Sequence, residues 1–171
     1  MIQVVDIASD LVQFRTRRRG WPSSCNVYLV RDHEGSVLVD TGLGVEPDLG
    51  ALLSEIDRTL GAWGQRRRDL HTILLTHTHT DHAGGAVPIA RQTGARVLLP
   101  VEGWTQAAEP AWQAHHILPA EVVFEVESLR DFDIAGHLRD DTMPEFFSND
   151  SGISWQLMDE GDEVCIGSYR L

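Results

Sequence analysis

Lysine is absent: all 14 basic residues of this 171-residue chain are arginines. Chemistry that needs a lysine amine, such as Schiff-base formation or the lysine of a phosphate-binding P-loop, is therefore excluded. Cysteine is scarce. Cys25 and Cys165 lie far apart with no C-x-x-C pair, so neither a disulfide framework nor a cysteine zinc site is indicated. No apolar run approaches the roughly 18 residues that a membrane-crossing helix needs. The start of the chain, Met1-Ile2-Gln3-Val4-Val5-Asp6, has no basic segment leading into an apolar core, as a secretory signal would. These absences predict a cytoplasmic protein with no membrane partner.

Positive charge is also in short supply. The net charge is −12, with 13 acids and 11 bases up to residue 120 but 13 acids and 3 bases after it. An acidic chain repels phosphate backbones, so no nucleic-acid partner is expected. The triplets Arg17-Arg18-Arg19 and Arg66-Arg67-Arg68 are the basic clusters, and each is short enough to be solvated surface. An apolar content of 42% is ordinary for a globular domain of this length.

Residues 2 to 7, 11 to 16, 25 to 31 and 36 to 40 read as short strands, with a polar hairpin loop at Asp32-His33-Glu34-Gly35. Residues 46 to 61 carry Leu49, Leu52, Leu53, Ile56 and Leu60 at helical spacing, a stripe that belongs to a core. Pro47 suits the start of that helix and Gly61 its end. A strand over 72 to 76 is then followed by a helix from about His82 or Gly84 to Gln92, closed by Gly94, and by a strand at 96 to 99. Such a strand, loop, helix, strand succession is an α/β unit, whose sites lie at the C-terminal ends of its strands. Residues 101 to 157 are less regular: 107 to 114 reads as helix and 121 to 127 as strand.

The loop after the strand at 72 to 76 holds the densest chemistry. His77-Thr78-His79-Thr80-Asp81-His82 places three imidazoles and a carboxylate within six residues, followed by Ala83-Gly84-Gly85. Nitrogen and oxygen donors at this density suit a borderline cation such as zinc, and the carboxylate suits a site with room for two metals. The glycines let the backbone pass close to such a site. His71 reads as structural and His33 as exposed, while His115, His116 and His137 are the remaining donors that other parts of the chain offer.

This H-x-H-x-D-H pattern resembles the signature of the metallo-β-lactamase-fold hydrolases. Ser36-Val37-Leu38-Val39-Asp40-Thr41-Gly42 resembles the strand ending in Asp-x-Gly that forms the family's first motif. Ser24-Cys25-Asn26-Val27-Tyr28-Leu29-Val30 resembles its early strand, and Glu160 to Gly167 the strand pair before its third motif. The resemblance implies an αββα sandwich of class α/β (α+β), present as the N-terminal half plus an extension. It divides a single domain, 1 to 171, into a recognisable core at 1 to 100, an inserted pocket region at 101 to 157 and the start of the second half at 158 to 171. Trp104, Trp112, Phe146, Phe147 and Trp155 are then candidates for pocket lining.

Carried over by resemblance, His77 and His79 bind a first metal, and Asp81 and His82 a second. Asp81 is also the catalytic carboxylate, and Asp40 orients a ligand by hydrogen bonding. The family's third-motif histidine, bridging aspartate and last histidine have no counterpart before Leu171, so a shortened chain is expected, with two protein ligands per metal. Two readings follow. One is a binuclear zinc hydrolase of a small ester, lactone or thioester, working through hydroxide held by the metals, with iron or manganese as alternatives to zinc. The other is a non-catalytic half-fold that binds metal weakly and pairs with a partner, or with itself as a homodimer, through an uncovered sheet.

Overall fold

The computed structural model describes residues 2–16, 25–44, 46–103 and 152–170. The first four strands, β1 (Ile2–Ala8), β2 (Leu11–Thr16), β3 (Cys25–Arg31) and β4 (Ser36–Val39), pair antiparallel in chain order. Beyond β4 the sheet turns parallel, through β5 (Leu70–Leu74), β6 (Arg96–Pro100) and β7 (Trp155–Met158). Among the described residues this is one seven-stranded sheet in sequence order. Parallel neighbours need crossovers, and helices supply them. Helix α1 (Asp48–Ala62) links β4 to β5, and α2 (Thr80–Ala83) with α3 (Ala86–Thr93) links β5 to β6.

Alternation along the strands sorts side chains onto two faces. Phe14, Val27, Leu29, Leu38, Ile73, Val97 and Leu99 point to one face, where the α1 stripe of Leu49, Leu52, Leu53, Ile56 and Leu60 and α3 residues Ile89 and Ala90 complete a buried core. On the other face Val30, Val37, Leu74 and Leu98 are covered by a small hairpin, β8 (Cys165–Ile166) with β9 (Tyr169–Arg170), whose Ile166 is buried against them. The class is therefore α/β, as expected. Arg67 accounts for one of the arginine triplets: it pairs with Asp57 of α1 and donates to Gln92 of α3, which ties the two helices together.

Several boundaries differ from the sequence reading, among them β5, which spans Leu70–Leu74 rather than 72 to 76. Helix α1 runs past Gly61 to Ala62, and the chain turns instead at Gly64, with φ +74°. The helix expected after the histidine loop is broken at Gly84-Gly85 into α2 and α3. Trp155–Met158, at the junction of the region read as irregular, is a strand, and Trp155, one of the candidates for pocket lining, packs against the helix-side core. The expected helix at 107 to 114 and strand at 121 to 127 lie outside the described residues, as do Trp104, Trp112, Phe146, Phe147, His115, His116 and His137. Among the described residues no helix is long and apolar enough to cross a membrane.

The β3–β4 turn shows how one acid fixes a loop. Asp32 Oδ1 accepts the backbone N–H groups of Glu34 and Gly35, each at 2.8 Å, and Asp32 Oδ2 lies 3.3 Å from His71 Nε2. Burial pushes the Asp32 carboxyl up, but the two N–H donors and the imidazole outweigh it and hold the group below its ordinary value of 3.8. A depressed folded pKa means that the stabilisation is present above the unfolded value and disappears as pH falls through the folded one. Asp32→Ala is therefore expected to cost about 1–2 kcal/mol at neutral pH, with the gap to wild type closing in acid. Urea unfolding at about pH 7 and about pH 2.5 checks it; an equal gap at both would contradict the assignment.

Candidate metal centre

Because β4 and β5 are parallel neighbours, the segments that leave them emerge together at the C-terminal edge of the sheet. Asp40 follows β4, and the loop from Thr76 to Ala83 follows β5. The register Val39↔Leu74 sets Asp40 beside that loop, and the Asp40 N–H continues the ladder by donating to the Leu74 carbonyl at 2.8 Å. Asp40 is buried at 4% exposure and has φ +59°, a left-handed backbone that costs a non-glycine residue on the order of 1 kcal/mol. Aspartate tolerates that region better than most residues.

Its carboxylate then gathers the loop. The Thr76 N–H donates to Asp40 Oδ1 at 2.9 Å, and Thr76 Oγ1 lies 3.0 Å from Oδ1 and 2.8 Å from Oδ2. His82 Nδ1 lies 2.7 Å from Asp40 Oδ2. Thr76 Oγ1 also meets His77 Nδ1, at 2.9 Å. The next residue locks the backbone: the Thr41 N–H and Oγ1–H both donate to the His82 carbonyl, at 2.7 and 2.8 Å. Gly85 N–H returns a bond to Thr41 Oγ1 at 3.1 Å.

A turn at the start of α2 folds the motif on itself, since the His79 carbonyl accepts the N–H groups of His82 and Ala83 at 2.9 and 2.8 Å. His77 is thereby packed between two imidazoles, with ring centroids 4.7 Å from His79 and 4.1 Å from His82. His82 Nε2 lies 3.8 Å from Asp81 Oδ2. The structure thus brings His77, His79, Asp81, His82 and Asp40 into one cluster. Burial pushes the His77 pKa down, and His82 and His79 add to this against the opposing pull of Asp40 and Asp81. Burial would also lower His82, but the Asp40 carboxylate and the Cys25 sulfur hold it up to about 10.

Sequence reasoning missed Cys25, which the start of β3 brings beside the motif, buried at 4% exposure and against His82. Its place in the strand Cys25–Arg31 was visible, but which strand packs on α2 is a long-range fact. Thr76 was likewise read as the end of an apolar run rather than as a partner of Asp40 and His77.

The donor chemistry fits a divalent cation in part. A nitrogen with its ring partner hydrogen-bonded to a carboxylate is the usual arrangement of a metal-binding histidine, and His82 has it through Asp40. The separation of His82 Nε2 from Asp81 Oδ2 is one that a single cation with ligands at about 2.0–2.2 Å can bridge. The surroundings of His82 favour positive charge, which such a cation carries. Among the described residues, however, no three or more His, Cys, Asp or Glu side chains converge on one metal position.

Beside the loop lies a cleft of about 480 Å3, floored by Val39, Leu74, Pro100 and Met158, reaching Thr76 and rimmed by Glu102, Asp159 and Glu160. It opens at the same strand ends as the histidines.

Known proteins resemble this chain in sequence and in fold. The model of the metallo-beta-lactamase superfamily matches residues 20–162. A metal-dependent hydrolase of Rubrobacter xylanophilus, of the group UPF0173, is 59% identical over 34 residues, which are 20% of this chain and 14% of that protein. The exodeoxyribonuclease WalJ of Streptococcus pneumoniae is 34% identical over 92 residues, 54% of this chain and 28% of that one. A mutant of the metallo-beta-lactamase FEZ-1 from Legionella gormanii shares the fold at 19% identity and TM-score 0.59, covering 98% of this chain and 50% of its own. The chain thus spans half or less of the length of each of these proteins.

Close packing of glycines sets the two loops against each other. A Cβ on Gly44, where φ is +71°, would lie 2.0 Å from the Gly84 carbonyl oxygen, and one on Gly85 would lie 2.6 Å from the Thr41 oxygen. Gly64 has a similar φ but open space around it. Gly44→Ala is therefore expected to cost about 3 kcal/mol or more, against about 1 kcal/mol for Gly64→Ala. Chemical unfolding of the two variants measures the difference, and equal costs would show that the loops are not pressed together.

Proposed function

This chain belongs to the metallo-beta-lactamase superfamily, and from that membership we propose that it carries the motif half of a binuclear zinc hydrolase acting on a small ester, lactone or thioester. The observation that carries the reading is the cluster itself: three imidazoles and Asp81 set together at the ends of parallel strands, with His82 held directly by the buried Asp40 carboxylate and His77 through Thr76. His77 and His79 would hold one metal, and Asp81 and His82 the second. Bound zinc supplies a Lewis acid and makes water nucleophilic at neutral pH.

The protein groups then divide the remaining work. Asp40 is committed to Thr76 and His82, so it orients rather than reacts. Asp81, besides holding metal, would be the carboxylate placed to orient a water and accept its proton. The apolar floor of the adjoining cleft suits the acyl part of a small substrate, and its acidic rim disfavours a polyanion. A second reading, phosphodiester hydrolysis, is favoured by the similarity to an exodeoxyribonuclease. Iron or manganese suits the same donors.

The test is turnover by purified, zinc-loaded protein of four probes: p-nitrophenyl acetate, a γ-lactone, an acyl thioester and bis(p-nitrophenyl) phosphate. Hydrolysis of at least one of the first three is expected, abolished by chelation, restored by zinc and reduced about 100-fold or more by Asp81→Ala. Turnover of the phosphodiester alone would replace this reading with the second. Loss of all metal on dialysis, with no turnover of any probe, would leave a half-fold that needs a partner chain.

A further inference from the structure

We infer that Thr76 is a positioning residue: its hydroxyl, set between the Asp40 carboxylate and the His77 ring, fixes His77 in the tautomer that presents Nε2 to a metal. The argument is a count of hydrogens. Thr76 Oγ1 has one hydrogen and two neighbours that it must satisfy, the Asp40 oxygens at 2.8 and 3.0 Å and His77 Nδ1 at 2.9 Å. A carboxylate only accepts, and two oxygens at 2.8 Å with no hydrogen between them repel, so the hydroxyl hydrogen goes to Asp40. The hydroxyl oxygen then accepts, and His77 Nδ1 must carry a hydrogen to give. The lone pair of neutral His77 is left on Nε2.

The same carboxylate takes the Nδ1–H of His82 directly. A single anion thus orients a histidine assigned to each metal, one at first hand and one through a hydroxyl. The Thr76 N–H, which also donates to Asp40, and the β-branched side chain, which has few χ1 choices, hold the hydroxyl in place. Among the described residues the other contacts of the His77 ring are with the rings of His79 and His82, which restrain its plane without choosing a tautomer.

The inference rests on the proposed reading for the metal, but the tautomer exists without metal, and so the two can fail separately. The test is a long-range 1H–15N correlation spectrum of the metal-free protein, which reports which ring nitrogen is protonated, for wild type, Thr76→Val and Thr76→Ser. Valine keeps the shape and the backbone N–H and removes the hydroxyl; serine keeps the hydroxyl. The expected result is the Nδ1–H form of His77 in wild type and Thr76→Ser, and a shift to the Nε2–H form in Thr76→Val, with the thermal midpoint of Thr76→Ser near that of wild type and that of Thr76→Val lowered by the loss of one donor to Asp40. Zinc titration should then show the first site weakened about 10- to 100-fold in Thr76→Val, with the second site changed much less. An Nδ1–H tautomer that persists in Thr76→Val overturns the inference. A tautomer that shifts while zinc binds neither protein would uphold the role of Thr76 and overturn the metal reading instead.

Discussion

The Asp40 carboxylate is the contact on which the rest of the site depends. It is buried, it sits on a left-handed backbone, and it accepts from Thr76 twice and from His82 once. A buried carboxylate without such donors would be strongly destabilising, so the loop must fold around it for the chain to be stable. That requirement converts a flexible run of histidines into a cluster with defined ring positions. The backbone strain at Asp40 is held by Thr41, whose two bonds to the His82 carbonyl close the other side of the same junction.

The sheet makes this junction possible. Four antiparallel strands switch to parallel pairing after β4, so the segments after β4 and β5 leave at one edge and meet. Glycine lets them meet closely: Gly44 against Gly84 and Gly85 against Thr41 are contacts that no side chain would permit. The same approach explains the break between α2 and α3, because Gly84 and Gly85 serve the junction at the expense of a continuous helix. Packing at the far side is conventional, with α1 and α3 on one face and the β8–β9 hairpin on part of the other.

Local features were legible from the residues alone. The α1 stripe, the alternation in β3 and the strand end near Asp40 follow from periodicity and punctuation within a few residues, whereas the strand read at 72 to 76 lies two residues earlier, at Leu70–Leu74. The histidine motif was legible because its donors are adjacent in sequence. What was hidden depended on pairing at a distance. Trp155–Met158 is four residues long and becomes a strand through its register with β6, to which it is joined by a long stretch of chain. Cys25 reaches His82 because β3 underlies α2, and Thr76 acquires its importance from a residue 36 positions earlier. Glycine at 61 looked like a helix end, but the buried Leu60 and the turn at Gly64 carried the helix beyond it.

The central claim is that one carboxylate turns the Nε2 atoms of His77 and His82 toward metal. Anomalous diffraction at the zinc edge, from crystals of the protein grown with zinc, tests it most directly. The account predicts anomalous peaks beside Nε2 of both rings, with His77 Nδ1 still on Thr76 and His82 Nδ1 still on Asp40. Zinc bound through Nδ1 of either ring, or peaks remote from the loop with Asp40 turned away from His82, would contradict it.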